Sequence, residues 1–366
     1  MQEISKLKEI VAQFTGNNEE IDIKPLGAGH INDSYKVKAG EKEYVLQRIN
    51  HSIFKNVPEL QSNILRVTMH IRQKLMDAGI NDIDRKVLTL VPTPGGKLFY
   101  QDAEGSYWRM MDFIRDSKSY DEINPELAYR AGLAFGEFQK MLADLPGDPL
   151  FETIPNFHNI ESRLETFRDS VRANKVGRLV EVQDLVSELE ARADEMCKAE
   201  RMHREGKLIK RTNHCDTKVN NILFDKNDQV LCVVDLDTVM PGYVLSDFGD
   251  FIRTGANKGA EDDPDLDNVS LDLAIFEGYT KGYLENAASF LTEVEIENLA
   301  FGAKLLTYMQ TVRFLTDYID GDTYYKIAYG NHNLVRSKAQ FKFLQSLEQN
   351  FDMMQEIVLS TAEKYR

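Results

Sequence analysis

The segment "NHCDTKVNNILFD" runs from Asn213 to Asp225 and contains the spacing His214-x-Asp216-x-x-x-x-Asn221. After Asn221, "NILF" reads as a strand, "DKND" as a tight turn and "VLCVVD" as the returning strand, which ends at Asp235. Paired strands lie about 5 Å apart, so a hairpin brings its two open ends together. Asp216, Asn221 and Asp235 should therefore meet in one small volume. Two carboxylates and an amide oxygen make a hard oxygen cluster of the kind that suits magnesium. Phosphoryl transfer uses this inventory: a carboxylate takes the proton of the attacking hydroxyl, and metal ions neutralise the nucleotide phosphates. Asp216 is the candidate base, and Asn221 and Asp235 are the candidate magnesium ligands.

Asp247-Phe248-Gly249 spells a metal-binding triplet of protein kinases. In those enzymes it follows the catalytic-loop Asn by about a dozen residues. Here Asp235 follows Asn221 by 14 residues and Asp247 follows it by 26. Spacing gives the metal to Asp235 and leaves Asp247 a structural role, holding the catalytic loop by hydrogen bonds. If the strand continues extended, Asp237 points to the same side as Asp235. It then either supports the metal or meets the substrate.

These residues need a frame. Ile4, Leu7, Ile10, Val11 and Phe14 recur at helical spacing. Residues 21–50 read as three strands with turns at "GAG" and "KAGEK". Gly27 and Gly29 lie in the first of these turns, where glycine lets backbone approach phosphate closely. A helix is expected over 58–78, then a hairpin turned at "DAEG" whose second strand, Trp108 to Ile114, ends at the lobe boundary. There the backbone around Met111 and Phe113 could bind adenine. Helices dominate afterwards, including a long charged one over 180–204. A strand-rich lobe over 1–113 thus precedes a helical lobe over 114–366, an α+β organisation.

The chain has 366 residues, 42% of them apolar, and a formal charge of −15. That length suffices for two domains. The acidic balance argues against nucleic acid, whose phosphates call for clustered Lys and Arg. Three cysteines at irregular spacing fit neither a disulfide framework nor a zinc site. "MQEISKLKEIVAQF" is no signal peptide, and no apolar run is long enough to span a bilayer. A cytoplasmic protein without a membrane partner is expected.

The motif and "VVDLD" resemble the aminoglycoside phosphotransferase and choline kinase superfamily, which has a protein-kinase-like bilobal fold. "GAGHINDSY", "VLQRINHSIF", "VDLDTVMPG", "RFLTDYIDGDTYY" and "HNLVR" are most similar to its N-acetylhexosamine 1-kinase group, and the resembling segments span nearly the whole chain. The resemblance implies ATP-dependent phosphorylation of the anomeric hydroxyl of N-acetylglucosamine or N-acetylgalactosamine. A monomer or small homo-oligomer is expected. It implies that His30, Asn32, Arg313 and Tyr324 reach the sugar, with Asp216 as base and Asn221 and Asp235 on magnesium. A lysine usual on the third strand of protein kinases is missing from "YVLQR". By parity either Gln47 or Arg48 faces the nucleotide; the N-acetylhexosamine 1-kinase group resembles this chain in carrying glutamine here, and His30 of the Gly loop is a further candidate for the phosphate contact. Arg313, flanked by Val312, Phe314 and Leu315, needs a polar partner if it is buried. Tyr324 is either a sugar contact or a core aromatic. A different small-molecule kinase, acting on choline or an aminoglycoside, is the second reading. A pseudokinase is the third, and the intact Asp216, Asn221 and Asp235 argue against it.

Overall fold

The computed structural model describes residues 2–16, 20–27 and 31–366. Gly29 and His30 lie outside the described residues. The chain forms two compact units. The first holds Met1–Lys118, Asp144–Pro155 and Leu223–Met240, and the second holds the remainder.

In the first unit, β1 (Ile21–Pro25), β2 (Asp33–Ala39), β3 (Lys42–Ile49) and β6 (Tyr107–Asp112) pair antiparallel in that order. The short strands β4 (Leu90–Val91) and β5 (Tyr100–Gln101) both pair with β6. The amphipathic helix α1 (Gln2–Thr15) buries Leu7, Ile10, Val11 and Phe14 against Val37, Leu46, Trp108 and Met110. Alternation puts every second residue of β2 and β3 on that face. Helix α2 (Val57–Asp77) starts where Asn56 accepts the Glu59 amide, with Pro58 in its first turn.

A single cut near residue 114 does not describe the first unit, because two later segments join it. Asn63 of α2 exchanges hydrogen bonds with the Phe151 backbone and donates to the Val239 carbonyl. Lys118 and Phe224 exchange backbone hydrogen bonds, and Lys86 reaches the Val230 carbonyl. The hairpin of β8 (Ile222–Phe224) and β9 (Val230–Val233) forms as the sequence suggests. Its turn is tied by Asp225 Oδ1, which accepts the amides of Asn227 and Gln229.

The second unit is helical. It contains α3 (Pro125–Leu142), α4 (Ile160–Ala173), α5 (Gln183–Met196), α6 (Lys198–Arg204) and α7 (Val244–Gly255). After α7 come α8 (Leu273–Ala287), α9 (Glu293–Glu297), α10 (Leu299–Asp320), α11 (His332–Gln349) and α12 (Phe351–Tyr365). The expected long helix over 180–204 is broken at Cys197 into α5 and α6. Strand β7 (Arg211–Asn213) pairs with β10 (Met240–Gly242). The core is built around α10, where Leu305, Met309, Val312 and Leu315 meet Leu164, Phe167, Leu189 and Leu344.

Gly249 of the kinase-like triplet has a packing role here. Helix α7 crosses α10 so closely that a Cβ on Gly249 would sit 2.1 Å from the Gly302 carbonyl oxygen. A Cβ on Gly302 would sit 2.0 Å from the Leu245 oxygen. Both values are far inside van der Waals contact. Glycine at 249 and 302 is what lets α7 lie on α10.

None of the three cysteines forms a disulfide. No helix among the described residues is long and apolar enough to cross a membrane.

Candidate active site

Strand β7 delivers the loop His214–Lys218, and Cys215 turns it with φ +63°. The loop is fastened from one face of α7. Asp247 Oδ2 accepts the His214 amide at 2.7 Å and Oδ1 accepts the Cys215 amide at 2.8 Å. Gln139 of α3 donates to the same carboxylate at 2.8 Å. One turn on, Asp250 accepts the Thr217 amide at 3.0 Å and is itself held by the Arg253 guanidinium. Asp247, Asp250 and Arg253 recur every third residue and therefore share a helix face. His214 is fully buried edge-on between Phe135 and Phe138, and its Nδ1 accepts the Asp216 amide. Asp247 thus holds the loop, as its spacing suggested.

Asp216 and Asn221 are brought together. Asn221 Nδ2 donates to the Asp216 carbonyl at 2.8 Å and to its Oδ2 at 3.2 Å. This turns the amide so that its Oδ1 meets no described group. Lys218 Nζ lies 2.7 Å from Asp216 Oδ1. Burial works against the Asp216 carboxylate, but Lys218, His214 and Arg253 outweigh it and hold its pKa below the ordinary value. Burial also opposes the Lys218 charge, and Asp216 and Asp250 keep its pKa raised. The pair is ionised at neutral pH.

Asp247 behaves differently. Burial pushes its pKa up to about 6, against the pull of His214, the two amides and Gln139. Its pKa in the folded protein is above that in the unfolded chain, about 3.9. The folded state therefore holds the extra proton between the two values, and this group's stabilising contribution is lost as pH rises through 6. Activity should run the opposite way, because the loop is held by the carboxylate. We expect kcat to fall as pH drops through about 6. A pH profile should show this acid limb in the wild type and not in Asp247→Asn. Asp216 titrates too low to produce it.

The same unit holds a cationic and aromatic cluster within electrostatic reach of Asp216. Arg313 of α10 donates to Gln310 Oε1 at 3.0 Å and lies over the rings of Phe157 and Tyr325. Phe157 stacks on His158 at 4.6 Å, and Arg163 donates to the Phe157 carbonyl. Burial lowers the His158 pKa to about 3, helped by the charges of Arg313, Arg163 and Arg253 and opposed by Asp216. His158 is therefore neutral, and its buried Nδ1 has no partner. Tyr324 is 62% exposed, which removes the core-aromatic alternative. Its ring stands edge-on against Tyr325 at 4.8 Å.

The other expected residues belong to the first unit. Arg109 of β6 is 2% exposed and ion-paired with Asp237, also 2% exposed. Asn32 Nδ2 donates to Asp237 Oδ2 at 2.6 Å, and Asn32 Oδ1 accepts the Asn50 amide. Gln47 Oε1 accepts two hydrogen bonds from Arg109, and its Nε2 donates to Ser34. Strand parity sends the two side chains to different partners: Gln47 joins this network, while Arg48 is exposed and paired with Asp33. Parity fails for Asp237. Asp235 has φ +58°, and residues Leu236–Thr238 form a single 3-10 turn, so the two side chains do not alternate as in a strand. Gly27 takes φ +67°, a conformation glycine reaches without strain. Met111 is buried with strand partners on both sides, and the Phe113 amide already donates to the Glu43 carbonyl.

Several residues here were not singled out from sequence. Lys218 had a signal in its place two residues after the base. Arg109 had one too, as a lone cation in the apolar run "YWRMMDFI", which demands a buried partner. Nothing local marked Phe157, His158 and Arg163.

The chain is similar to solved structures along almost its full length. A choline kinase from Cryptosporidium parvum Iowa II superposes with a TM-score of 0.59 at 12% identity, covering 99% of this chain and 100% of that one. An aminoglycoside phosphotransferase from Alicyclobacillus acidocaldarius superposes at 0.57 with 12% identity, covering 94% and 96%. Spectinomycin phosphotransferase, in complex with ADP and spectinomycin, superposes at 0.51 with 16% identity, covering 98% of each chain. These likenesses show the protein-kinase-like fold. The model of the APH phosphotransferase enzyme family matches residues 22–284. The chain belongs to that family.

Proposed function

We propose that this protein is an ATP-dependent kinase that phosphorylates the anomeric 1-hydroxyl of N-acetylhexosamines, giving the sugar 1-phosphate and ADP. One observation carries the choice of acceptor. Arg313 and Arg163 both act on His158, which also feels the Asp216 charge, and neither makes an ion pair among the described residues. Two uncompensated guanidiniums repel a cationic acceptor such as choline or an aminoglycoside. They suit a neutral acceptor rich in hydroxyl and carbonyl oxygens, which accept from N–H donors. The exposed Tyr324 ring adds an apolar face for a sugar ring.

In the reaction the 1-hydroxyl donates a hydrogen bond to Asp216. As the bond from O1 to the γ-phosphorus forms and the bond to the β-bridging oxygen breaks, the proton passes to the Asp216 carboxylate. ADP leaves with the bond electrons. The transition state is loose, so positioning and charge neutralisation dominate. Lys218 sets its ammonium beside the base, where the transferred phosphoryl arrives. We assign magnesium to Asn221 and Asp235, whose amide oxygen and carboxylate would supply the hard oxygens that ion takes. When bound, magnesium neutralises the nucleotide phosphates. Arg313 and Tyr324 are assigned to the sugar, together with His30; Asn32 and Asp237 serve it indirectly, because their side-chain polar atoms are already engaged with each other, the Asn50 amide and Arg109. Gly27, Gly29, Met111 and Phe113 are assigned to ATP. Gln47 serves ATP by fixing Arg109, because both ends of its amide are engaged. We place the enzyme in the cytoplasm.

The test is ADP release with N-acetylglucosamine, N-acetylgalactosamine, glucose, choline and kanamycin. The expected result is turnover with the two acetylated sugars. Turnover with choline or kanamycin in their place would overturn the assignment.

A further inference from the structure

Helix α10 stops at Gly321 (φ +96°) and Asp322 (φ +62°), where the chain doubles back over the last helical turn. The next three amides all aim at one carboxylate. Thr323 N and Tyr324 N each donate to Asp317 Oδ1 at 2.8 Å, and Tyr325 N donates to Oδ2 at 2.9 Å. Asn333 of α11 donates to Asp317 Oδ2 at 2.8 Å and to Asp322 Oδ1 at 2.9 Å. Asp322 is ion-paired with Arg178. Successive N–H groups of this kind form a concavity that selects an anion. Here the protein supplies the anion itself. Asp317 is 4% exposed and has no cationic partner among the described residues, so these four donors and the Thr323 hydroxyl, 3.5 Å from Oδ1, compensate the carboxylate.

Ending the helix does not require this arrangement, because the Gly321 turn already caps the last carbonyls. What the arrangement fixes is the Tyr324–Tyr325 backbone. Tyr325 packs on Phe314 at 4.8 Å, lies under Arg313, and its hydroxyl accepts from Gln310. The same Gln310 accepts from Arg313. Tyr324 stands on Tyr325. Arg313, Gln310, Tyr325 and Tyr324 are one continuous run anchored at Asp317.

We propose that Asp317 is a positioning residue for the acceptor: its carboxylate gathers the amides of residues 323–325 and so holds both tyrosine rings beside Arg313. This rests on the reading of that cluster as the sugar site. Asp317 acts through the loop, so its loss should weaken acceptor binding and spare nucleotide handling.

Asp317→Asn tests this, because the amide keeps the shape but sets its NH2 against N–H donors whichever way it is turned. The measurements are steady-state kinetics with N-acetylglucosamine and ATP, ATP hydrolysis without acceptor, and hydrogen–deuterium exchange over residues 321–326. We expect the acceptor KM to rise about 10- to 100-fold. The KM for ATP and acceptor-free hydrolysis should stay within about twofold, as expected when an interaction with the acceptor alone is lost. The 321–326 peptide should exchange faster than in the wild type. Asn333→Ala removes one of these donors and should give a smaller rise in the same KM, which keeps the test available if Asp317→Asn folds poorly. An unchanged acceptor KM with a faster-exchanging peptide would overturn the proposal. So would an equal loss of hydrolysis and transfer, which would make Asp317 a fold residue only. If the wild type turns over no N-acetylhexosamine, the sugar reading falls first, and the exchange data still report whether the amides are held.

Discussion

Asp216→Asn is expected to lower kcat by about 10²- to 10⁴-fold, the usual contribution of a positioned general base. The substitution is nearly isosteric, and Asn221 can still donate to the main-chain carbonyl of residue 216. Lys218 loses its carboxylate partner but keeps a nearby acid in Asp250, whose charge also acts on it. The loop itself is fastened elsewhere, by Asp247 and Asp250 to the amides of His214, Cys215 and Thr217. The damage should therefore fall on the chemical step. The KM for ATP should hold while kcat collapses, the pattern of an interaction made only in the transition state. A kcat within tenfold of wild type would remove Asp216 from the reaction.

Arg109→Met is expected to cost about 3–5 kcal/mol of stability, because it strands a buried carboxylate. Asp237 would keep its hydrogen bond from Asn32 but lose its only described cation. Gln47 would lose both of its donors from Arg109. A loss of this size is a large share of the 5–15 kcal/mol typical of a folded domain. Arg109→Met/Asp237→Asn should regain part of it, since the second change removes the unpaired charge. Urea midpoints of the two variants and the wild type would check this. A single variant as stable as wild type, or a double variant no better than the single, would contradict it.

The parts of this molecule that sequence made legible were those carried by short-range pattern. The hairpin from Ile222 to Val233 follows from alternation and turn chemistry, and so do β1 to β3 and α1. Asp247 was assigned from its distance to Asn221, and the bonds it makes agree. Expectations failed where the backbone left the regular state they assumed. The left-handed residue Asp235 starts a 3-10 turn, which no alternation rule for Asp237 can survive. Distance along the chain hid the rest. Arg109 meets Asp237 across 128 residues, and Arg313 meets Phe157 across a similar span. The polar partner that Arg313 required is Gln310, one helical turn away. Asp317 sat inside the quoted segment "RFLTDYIDGDTYY", but its role depends on a chain reversal that only coordinates display.

The claim that organises all of this is transfer of the ATP γ-phosphoryl to the anomeric oxygen of an acetylated hexosamine. Proton and phosphorus NMR of the product formed from N-acetylglucosamine, ATP and magnesium reads that oxygen directly. The expected product shows a phosphorus signal coupled to the sugar H1. A phosphate coupled to the protons at C6, or recovery of unmodified sugar with ATP intact, would contradict it.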